Sequence, residues 1–311
     1  MQQFEIRPFR RSDRDQVAAL VNSHIAAVIP GMSVSINAVL SQFEREPGEA
    51  IVDPWVSERV TLVAEQRERI VAAAHLLRYA DEERVGPSYR NAGEIRWFLY
   101  RPLAPVDNPF WPDATAAAER LLAATLSQLA TWGVERRYAD GAVPAPGVYG
   151  VPEQWPHIQA AYRRAGFAWT GSTETVFLAR IRELPGPAGP PLEGLTIERS
   201  VGLVGTRLSA LNGGDIVGYI EVETMTATHH GWADIGNLHV AEPFRRRRVG
   251  TWLLGQAAEW LRLAGVERVL DYTSAGEEAY EAFLRASGFR VLTRTLRGWE
   301  WQPGPEPPAL D

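Results

Sequence analysis

The chain has 311 residues, more than one hydrophobic core ordinarily organises and enough for two domains of roughly 150 residues each. Its hydrophobic share of 45% and charged share of 23% are those of a soluble globular protein; the net charge of -6 argues against a general nucleic-acid binder; and the absence of cysteine excludes disulfides, thiolate metal sites and a cysteine nucleophile. No uncharged apolar run approaches the roughly 20 residues that span a bilayer. Met1-Gln2-Gln3-Phe4-Glu5 lacks the basic start and apolar stretch of a signal peptide, so a cytoplasmic protein is expected, with no membrane and no nucleic-acid partner.

In chain order, 4–8 is expected as a strand. Ser12 and Asp13 are placed to cap a helix running to about Ala27, in which Val17, Leu20, Val21 and Ile25 recur at helical spacing. A second helix over 36–43, paired strands over 60–64 and 70–77, and a strand over 94–100 follow. A helix from about Ala114 to Trp132 ends at Gly133, which suits a left-handed cap, and precedes a strand over 137–142 and a short helix ending near Gly166. Pro185-Gly186-Pro187-Ala188-Gly189-Pro190-Pro191 cannot continue a helix or a central strand and reads as a semi-stiff linker. Beyond it come a strand over 195–200, a hairpin of 206–212 and 216–223 across Gly213-Gly214, and a strand over 232–240. Val249, Trp252, Leu253, Ala257, Trp260, Leu261 and Ala264 then repeat at spacings of three and four, giving an amphipathic helix closed by Gly265. A strand over 269–273 and a helix over 277–286 complete the series. The few residues between Ser200 and Thr206 leave no room for the two helices expected after the first strand of the N-terminal half.

Three landmarks recur in one order in both halves. Glu94-Ile95-Arg96-Trp97-Phe98 answers to Asp234-Ile235-Gly236-Asn237-Leu238, Trp132-Gly133-Val134-Glu135-Arg136 to Ala264-Gly265-Val266-Glu267-Arg268, and Ala165-Gly166-Phe167 to Ser287-Gly288-Phe289. The expected organisation is therefore a duplicated α+β domain, each copy a mixed, mostly antiparallel sheet flanked by helices. The copies are placed at 1–184 and 193–303, with a linker at 185–192 and a loose, proline-rich tail at 304–311.

The most informative segment is Leu238-His239-Val240-Ala241-Glu242-Pro243-Phe244-Arg245-Arg246-Arg247-Arg248-Val249-Gly250-Thr251. A strand feeds a loop of four arginines that opens a helix. Helix N-termini present unpaired N–H groups and partial positive charge, arginine adds charge-assisted contacts, and Gly250 permits close approach, so the segment suits a phosphate. It resembles the hallmark of the GNAT superfamily of N-acetyltransferases, a strand ending near proline followed by an aromatic residue and Arg-x-x-Gly-x-Gly or Ala at a helix start. The two-copy plan is similar to that of tandem GNAT enzymes such as mycothiol synthase. The resemblance implies that the strand, Leu238, His239 and Val240, faces the pantetheine arm of acetyl-CoA, and that Arg245, Arg246, Arg247, Arg248, Val249, Gly250 and Thr251 hold its pyrophosphate. Arg248 stands where the family has its first glycine, and a side chain there either crowds the phosphates or contacts them. The first copy lacks such a loop: prolines within 102–112 remove the amides a phosphate needs, and this copy is expected not to bind CoA.

The family commonly carries a glutamate on the strand leading into the loop as a base for the attacking amine; Asp234 holds that position here, and Glu94 in the first copy. Asp234 reads equally as a solvated strand-end carboxylate, and its shorter reach favours a bridging water. The family's tyrosine acid falls on Leu284 in the second copy and on Tyr162 in the first. Tyr280, one turn before Leu284, is either a displaced substitute or core packing. His229 and His230 read as exposed turn residues and His239 as packed, and no helical histidine pair supports a metal. Asp215, Glu221, Glu223 and Asp234 are candidates to favour a cationic acceptor. The function these readings imply is acetyl-CoA-dependent N-acetylation of a small-molecule amine in the C-terminal domain, by a monomer or homodimer. Acetylation of a protein or peptide amine, and a non-catalytic acyl-CoA-binding module, are the alternatives.

Overall fold

The computed structural model describes residues 4–44, 55–101, 114–224 and 230–302. The expected loose tail, the proline-rich segment after Arg101 and His229 lie outside the described residues. The chain forms two compact units: Met1–Thr173 together with Thr295–Asp311, and Glu174–Arg294.

The first unit contains β1 (Glu5–Pro8), α1 (Arg14–Val28), α2 (Ile36–Phe43), β2 (Val56–Gln66), β3 (Arg69–Tyr79), β4 (Ala92–Tyr100), α3 (Thr115–Thr131), β5 (Arg136–Ala139), β6 (Val151–Pro152) and α4 (Pro156–Arg164). β1 to β4 pair antiparallel in sequence order, and β5 joins β4 in parallel. Helices cover both faces. On one side α1 and α2 lie on the sheet, and Phe43 of α2 packs against His75 and Trp97; α3 packs on the other. Asp13 stands at the N-cap of α1 but makes no capping bond. Instead its carboxylate takes Arg7 Nη1 and Nη2 at 2.7 and 2.9 Å, and that guanidinium holds the Asp13 carboxyl below the usual carboxylate range.

β7 (Phe167–Arg180) begins in the first unit and ends in the second. The second unit continues with β8 (Leu195–Val201), β9 (Thr206–Asn212), β10 (Asp215–Thr224), β11 (Trp232–Val240), α5 (Val249–Leu263), β12 (Arg268–Ser274), α6 (Glu278–Ala286) and the start of β13 (Arg290–Trp301). β8 to β11 pair antiparallel in order, β12 joins β11 in parallel, and residues 174–180 of β7 pair antiparallel with β12. The later residues of β13 return to the first unit, where Trp299 pairs with Ala139 of β5 and Thr295 with Pro152 of β6. Each sheet is thus completed by the strand that follows the other copy's last helix. The divisions fall inside β7 and β13, whereas the sequence places them at the proline-rich linker.

The duplication is written into the register. In the first unit Leu76 pairs with Ile95 and His75 with Trp97, which leaves Arg96 as the extra residue of a bulge; in the second, Val222 pairs with Ile235 and Glu221 with Asn237, leaving Gly236. The bulges fall at the same place in the first landmark of the repeat. The difference lies in cover. β8 turns directly into β9, so α5 packs on β9, β10 and β11 and, among the described residues, no helix stands where α1 and α2 stand in the first unit. The face away from α5 carries Arg207, Tyr219, Glu221, Glu223, Asn237 and His239 by strand alternation and register.

Residues 185–190, expected as a semi-stiff linker, are docked against α5. Trp252 Nε1 and Gln256 Nε2 donate to Ala188 O at 3.0 and 3.1 Å, and Arg262 Nη2 donates to Ile181 O and Leu184 O at 3.1 and 3.2 Å. A Cβ on Gly255 would lie 2.7 Å from Gly186 O, so the glycine lets this segment sit against α5. Replacing Trp252 with Phe should cost about 1 kcal/mol for the lost hydrogen bond and open residues 185–190 to protease, read by urea unfolding and limited proteolysis.

Candidate active site

β11 and β12 start side by side and then part. Their pairing runs from Trp232 with Arg268 to Asp234 with Leu270 and ends there, while both strands continue. The bulge at Gly236 turns β11 at this point. Between the parted strands opens a cleft of about 1290 Å³, walled by Ile235 to Val240 on one side, by Asp271 and Tyr272 on the other, and closed by Tyr280 and Phe283 of α6. Leu238, Val240, Val249, Ala279 and Phe283 give it an apolar middle, and Arg245, Arg246 and Arg248 give one end a cationic rim.

The rim is built by backbone geometry. Arg246 and Arg248 adopt left-handed φ of 59° and 66°, and Arg248 is the N-cap of α5, its carbonyl accepting from Trp252 N–H at 3.0 Å. The amides of Val249, Gly250 and Thr251 belong to the first helical turn and have no intrahelical acceptor. Arg245 Nε donates to Val240 O at 2.8 Å and fastens the loop to the end of β11. All four arginines are exposed; Arg245, Arg246 and Arg248 line the cleft and Arg247 does not. The left-handed turn accounts for the departure at Arg248: the backbone has the shape for which glycine is suited, and here arginine bears it.

Asp234 sits at the apex of the parting, one residue before the lining begins. Its Oδ1 is buried without a hydrogen-bond partner, and burial raises its pKa to about 7, with Tyr272 opposing and Glu223 and Glu174 adding to the rise. Tyr280 packs partly against the core of the second unit. It lines the cleft, and its hydroxyl donates to Asp271 Oδ2 at 2.6 Å; burial first and Asp271 second hold it protonated. Asp271 itself, which no sequence signal singled out, is buried on β12; Tyr272 N–H donates to its Oδ1 at 2.7 Å, and burial raises its pKa to about 8. His239 is exposed rather than packed: its ring lies 5.7 Å from that of Tyr219 on the helix-free face. His230 is exposed in its turn. Glu221 and Glu223 share that face, whereas Asp215 lies at the opposite end of β10.

In the first unit the corresponding place is filled. Beyond the last β4–β5 pair, Asp140 N–H donates to Ile95 O at 2.8 Å and Ala142 N–H to Arg96 O at 3.1 Å, so the loop after β5 occupies that edge of β4. Tyr100, the counterpart of Val240 in the repeat, donates its hydroxyl to His157 O at 3.1 Å. His24 Nε2 lies 3.3 Å from His157 Nε2, and burial lowers both histidine pKa values to about 4. Tyr162 is fully buried with its hydroxyl on Asp140 O at 2.8 Å, and Glu94 is buried against Tyr79 and Arg96. Neither faces an open cleft in the way Asp271 and Tyr280 do.

Residues 178–289 match the model of the acetyltransferase (GNAT) family. The match covers the second unit's sheet and both of its helices, a little over a third of the chain. Enzymes of that family move an acetyl group from acetyl-CoA to an amine. In fold the chain as a whole is similar to solved tandem GNAT structures. It is similar to a tandem GNAT protein from the clavulanic acid biosynthesis pathway, with a TM-score of 0.63 and 16% identity over 98% of this chain and 100% of the other. It is similar to a GCN5-related N-acetyltransferase from Sphaerobacter thermophilus, with a TM-score of 0.61 and 16% identity over 97% of this chain and 96% of that one. A glucosamine N-acetyltransferase region of a fungal multi-domain GH3 β-N-acetylglucosaminidase matches with a TM-score of 0.63 and 12% identity over 97% of this chain and 38% of that one. At these identities the likeness is one of fold. Comparison with curated proteins returns no match. Among the described residues no helix is long and apolar enough to cross a membrane.

A non-glycine residue in the left-handed region costs about 1–2 kcal/mol, part of which glycine returns through its more flexible unfolded chain. Arg248→Gly should therefore raise stability by about 0.5–1 kcal/mol, read from urea unfolding.

Proposed function

We propose that the protein N-acetylates a small-molecule amine of cationic character, with acetyl-CoA held in the cleft of the second unit and direct transfer from thioester to amine. The observation that carries this reading is the parting of β11 and β12 above a left-handed arginine loop that opens a helix. The donor set suits CoA: cationic groups and free amides at one end, apolar side chains along the slot, and the buried carboxyl of Asp271 beside the apex.

In this reading Arg245, Arg246 and Arg248 and the amides of Val249, Gly250 and Thr251 would hold the pyrophosphate. The stretch Leu238 to Val240 would align the pantetheine arm. Bound acetyl-CoA supplies the activated acetyl group as a thioester. Asp234, as carboxylate, takes the proton of the incoming ammonium through a bridging water, so that a neutral amine attacks. Its unpartnered Oδ1 at the apex is the atom available for that water. The face without helical cover, with Glu221, Glu223 and Asp234, favours a positively charged acceptor. The filled position in the first unit supports one CoA per chain.

A screen of small amines with acetyl-CoA, following free thiol release, tests the reaction. Binding of CoA with no thiol release from any amine, peptide amines included, would leave only an acyl-CoA-binding module. Calorimetry should find one CoA per chain, and two equivalent sites would overturn the assignment to the second unit. Arg246→Ala should weaken CoA binding by about 1.5–3 kcal/mol, roughly 10- to 150-fold, whereas Arg247→Ala should leave it within about twofold.

Asp234 must be ionised to act as a base, so kcat/KM should rise with pH through about 7. Asp234→Asn should lower kcat by about 100-fold and remove that rise while leaving CoA affinity unchanged. A variant with the rise intact would assign the base elsewhere.

A further inference from the structure

Resting on the transferase reading above, we propose that the turn between β8 and β9 walls the acceptor site of the second unit, with Leu203 and Val204 selecting an amine on an apolar carbon frame, an alkylamine or arylalkylamine. The turn, Val201-Gly202-Leu203-Val204-Gly205, has no polar side chain. Exposed turns ordinarily use asparagine, aspartate, serine, proline and glycine. Here the glycines meet the needs of the backbone: Gly202 N–H donates to Gly205 O at 2.7 Å, and Gly205 takes a φ of 137°. Neither requirement calls for leucine and valine between them. Leu203 is 96% exposed, so its side chain contributes nothing to the core.

The turn bends over the face of the sheet away from α5. A Cβ on Gly202 would lie 2.7 Å from Glu221 Oε1 and 3.0 Å from Arg207 Cβ, and one on Gly205 would lie 3.1 Å from Glu223 Cα. A Cβ on Gly236 would lie 2.5 Å from Val204 Cγ2. The turn therefore reaches from β9 across β10 to the bulge of β11. Its cover explains why Glu221 is buried on a face that carries no helix among the described residues. Beneath it Arg207 stands 3.5 Å from Glu221 and stacks on Tyr219, with Cζ 3.7 Å from the ring centroid, so this part of the floor is charge-paired.

Val204 thus rests on a residue of the cleft wall. Gly236 lines the cleft, and Asp234 precedes it by two residues. Two strand residues span about 6–7 Å, the reach of a short carbon chain. Glu223 pairs with Asp234 in the register and shares its face. An ammonium set between these carboxyl groups has Val204 beside its carbon substituents and Leu203 beyond. A hydroxyl or second charge there loses water against side chains that return no hydrogen bond. An alkyl or aryl group instead covers Leu203 and takes its apolar surface from water. The acidic pair fixes the nitrogen, and the turn discriminates among the groups attached to it.

The full-length chain with acetyl-CoA, followed by free thiol release, tests this on phenethylamine, ethanolamine and putrescine. The kcat/KM for phenethylamine should exceed that for either polar amine by about 10-fold or more. Leu203→Ser, at a site with no packing to lose, should lower it about 10-fold for phenethylamine, mostly through KM, and so narrow the preference. Val204→Thr keeps the shape that sits on Gly236, adds a hydroxyl, and should narrow it too. Equal kcat/KM for all three amines in the wild type, or an unchanged preference in Leu203→Ser, overturns the proposal. If light scattering shows that Leu203→Ser also changes the oligomeric state while the preference stays, the turn belongs to a contact between copies. A second readout needs no turnover. With CoA bound, phenethylamine should shift the methyl NMR signals of Leu203 and Val204, and putrescine should not. Those shifts without thiol release from any amine overturn the transferase reading and leave the apolar wall standing. Thiol release without the shifts overturns the wall and leaves the transferase reading standing.

Discussion

A parallel strand pair that stops after three residues leaves backbone edges in need of partners, and both units are organised around how that need is met. In the second unit β11 and β12 part after Asp234 and Leu270, and the bulge at Gly236 turns β11 away. Main-chain N–H and C=O groups are obligatory hydrogen-bonding groups, so a parted pair must take a ligand, water or more protein. The first unit takes more protein: Asp140 and Ala142 donate to Ile95 and Arg96, and Tyr100 reaches His157. The second leaves the opening, with Val240 and Ala279 at its wall. One duplicated scaffold thus yields a filled copy and an open one by changing a loop and a few side chains.

The electrostatics follow from the same parting. Asp234 and Asp271 lie on the two strands at the point of divergence, Asp271 buried and Asp234 half-buried, and the charge of Asp234 adds to the rise at Asp271. Two carboxyl groups so placed do not both ionise readily, and their raised pKa values near 7 and 8 bracket a pH range in which one is charged and the other is not. Folding bears the cost. A carboxyl group whose pKa is raised on folding binds more protons folded than unfolded, so its contribution to stability falls from about pH 4 upward and levels off above its folded pKa. The arginine rim stands at the other end of the cleft, so anion binding and proton handling occupy separate ends of one slot.

Much of this was legible in sequence. Helical spacing located α1 and α5, alternation and turn glycines located the β9–β10 hairpin, and the landmark around Ile95 and Ile235 aligned two bulges that no residue pattern announces. The arginine loop was legible because its chemistry is local. What stayed hidden depends on contacts distant in sequence. β7 carries Trp169-Thr170-Gly171-Ser172-Thr173, with little apolar alternation, and pairs with residues some ninety positions later. Asp271 is an ordinary carboxylate in Val269-Leu270-Asp271-Tyr272-Thr273 until the Tyr280 hydroxyl arrives beside it. His239 follows a packed strand pattern, but its face has no helix to pack against because β8 turns straight into β9. Asp13 has the right identity for a cap, but Arg7 offers its carboxylate a stronger partner.

The exchange of β7 and β13 has a consequence for the order in which the chain completes itself. Residues 174–294 are continuous, so the second unit has its whole sheet once Arg294 has been made. The first unit, although synthesised earlier, still lacks the strand that borders β5 and β6, because that strand is drawn from residues 295–301. On the ribosome the N-terminal copy therefore waits, with one sheet edge unpaired, through the synthesis of the entire C-terminal copy. The part of the molecule translated first is the last to close, and a ribosome that stops short of Trp301 releases a chain whose open cleft is built while its filled copy is not.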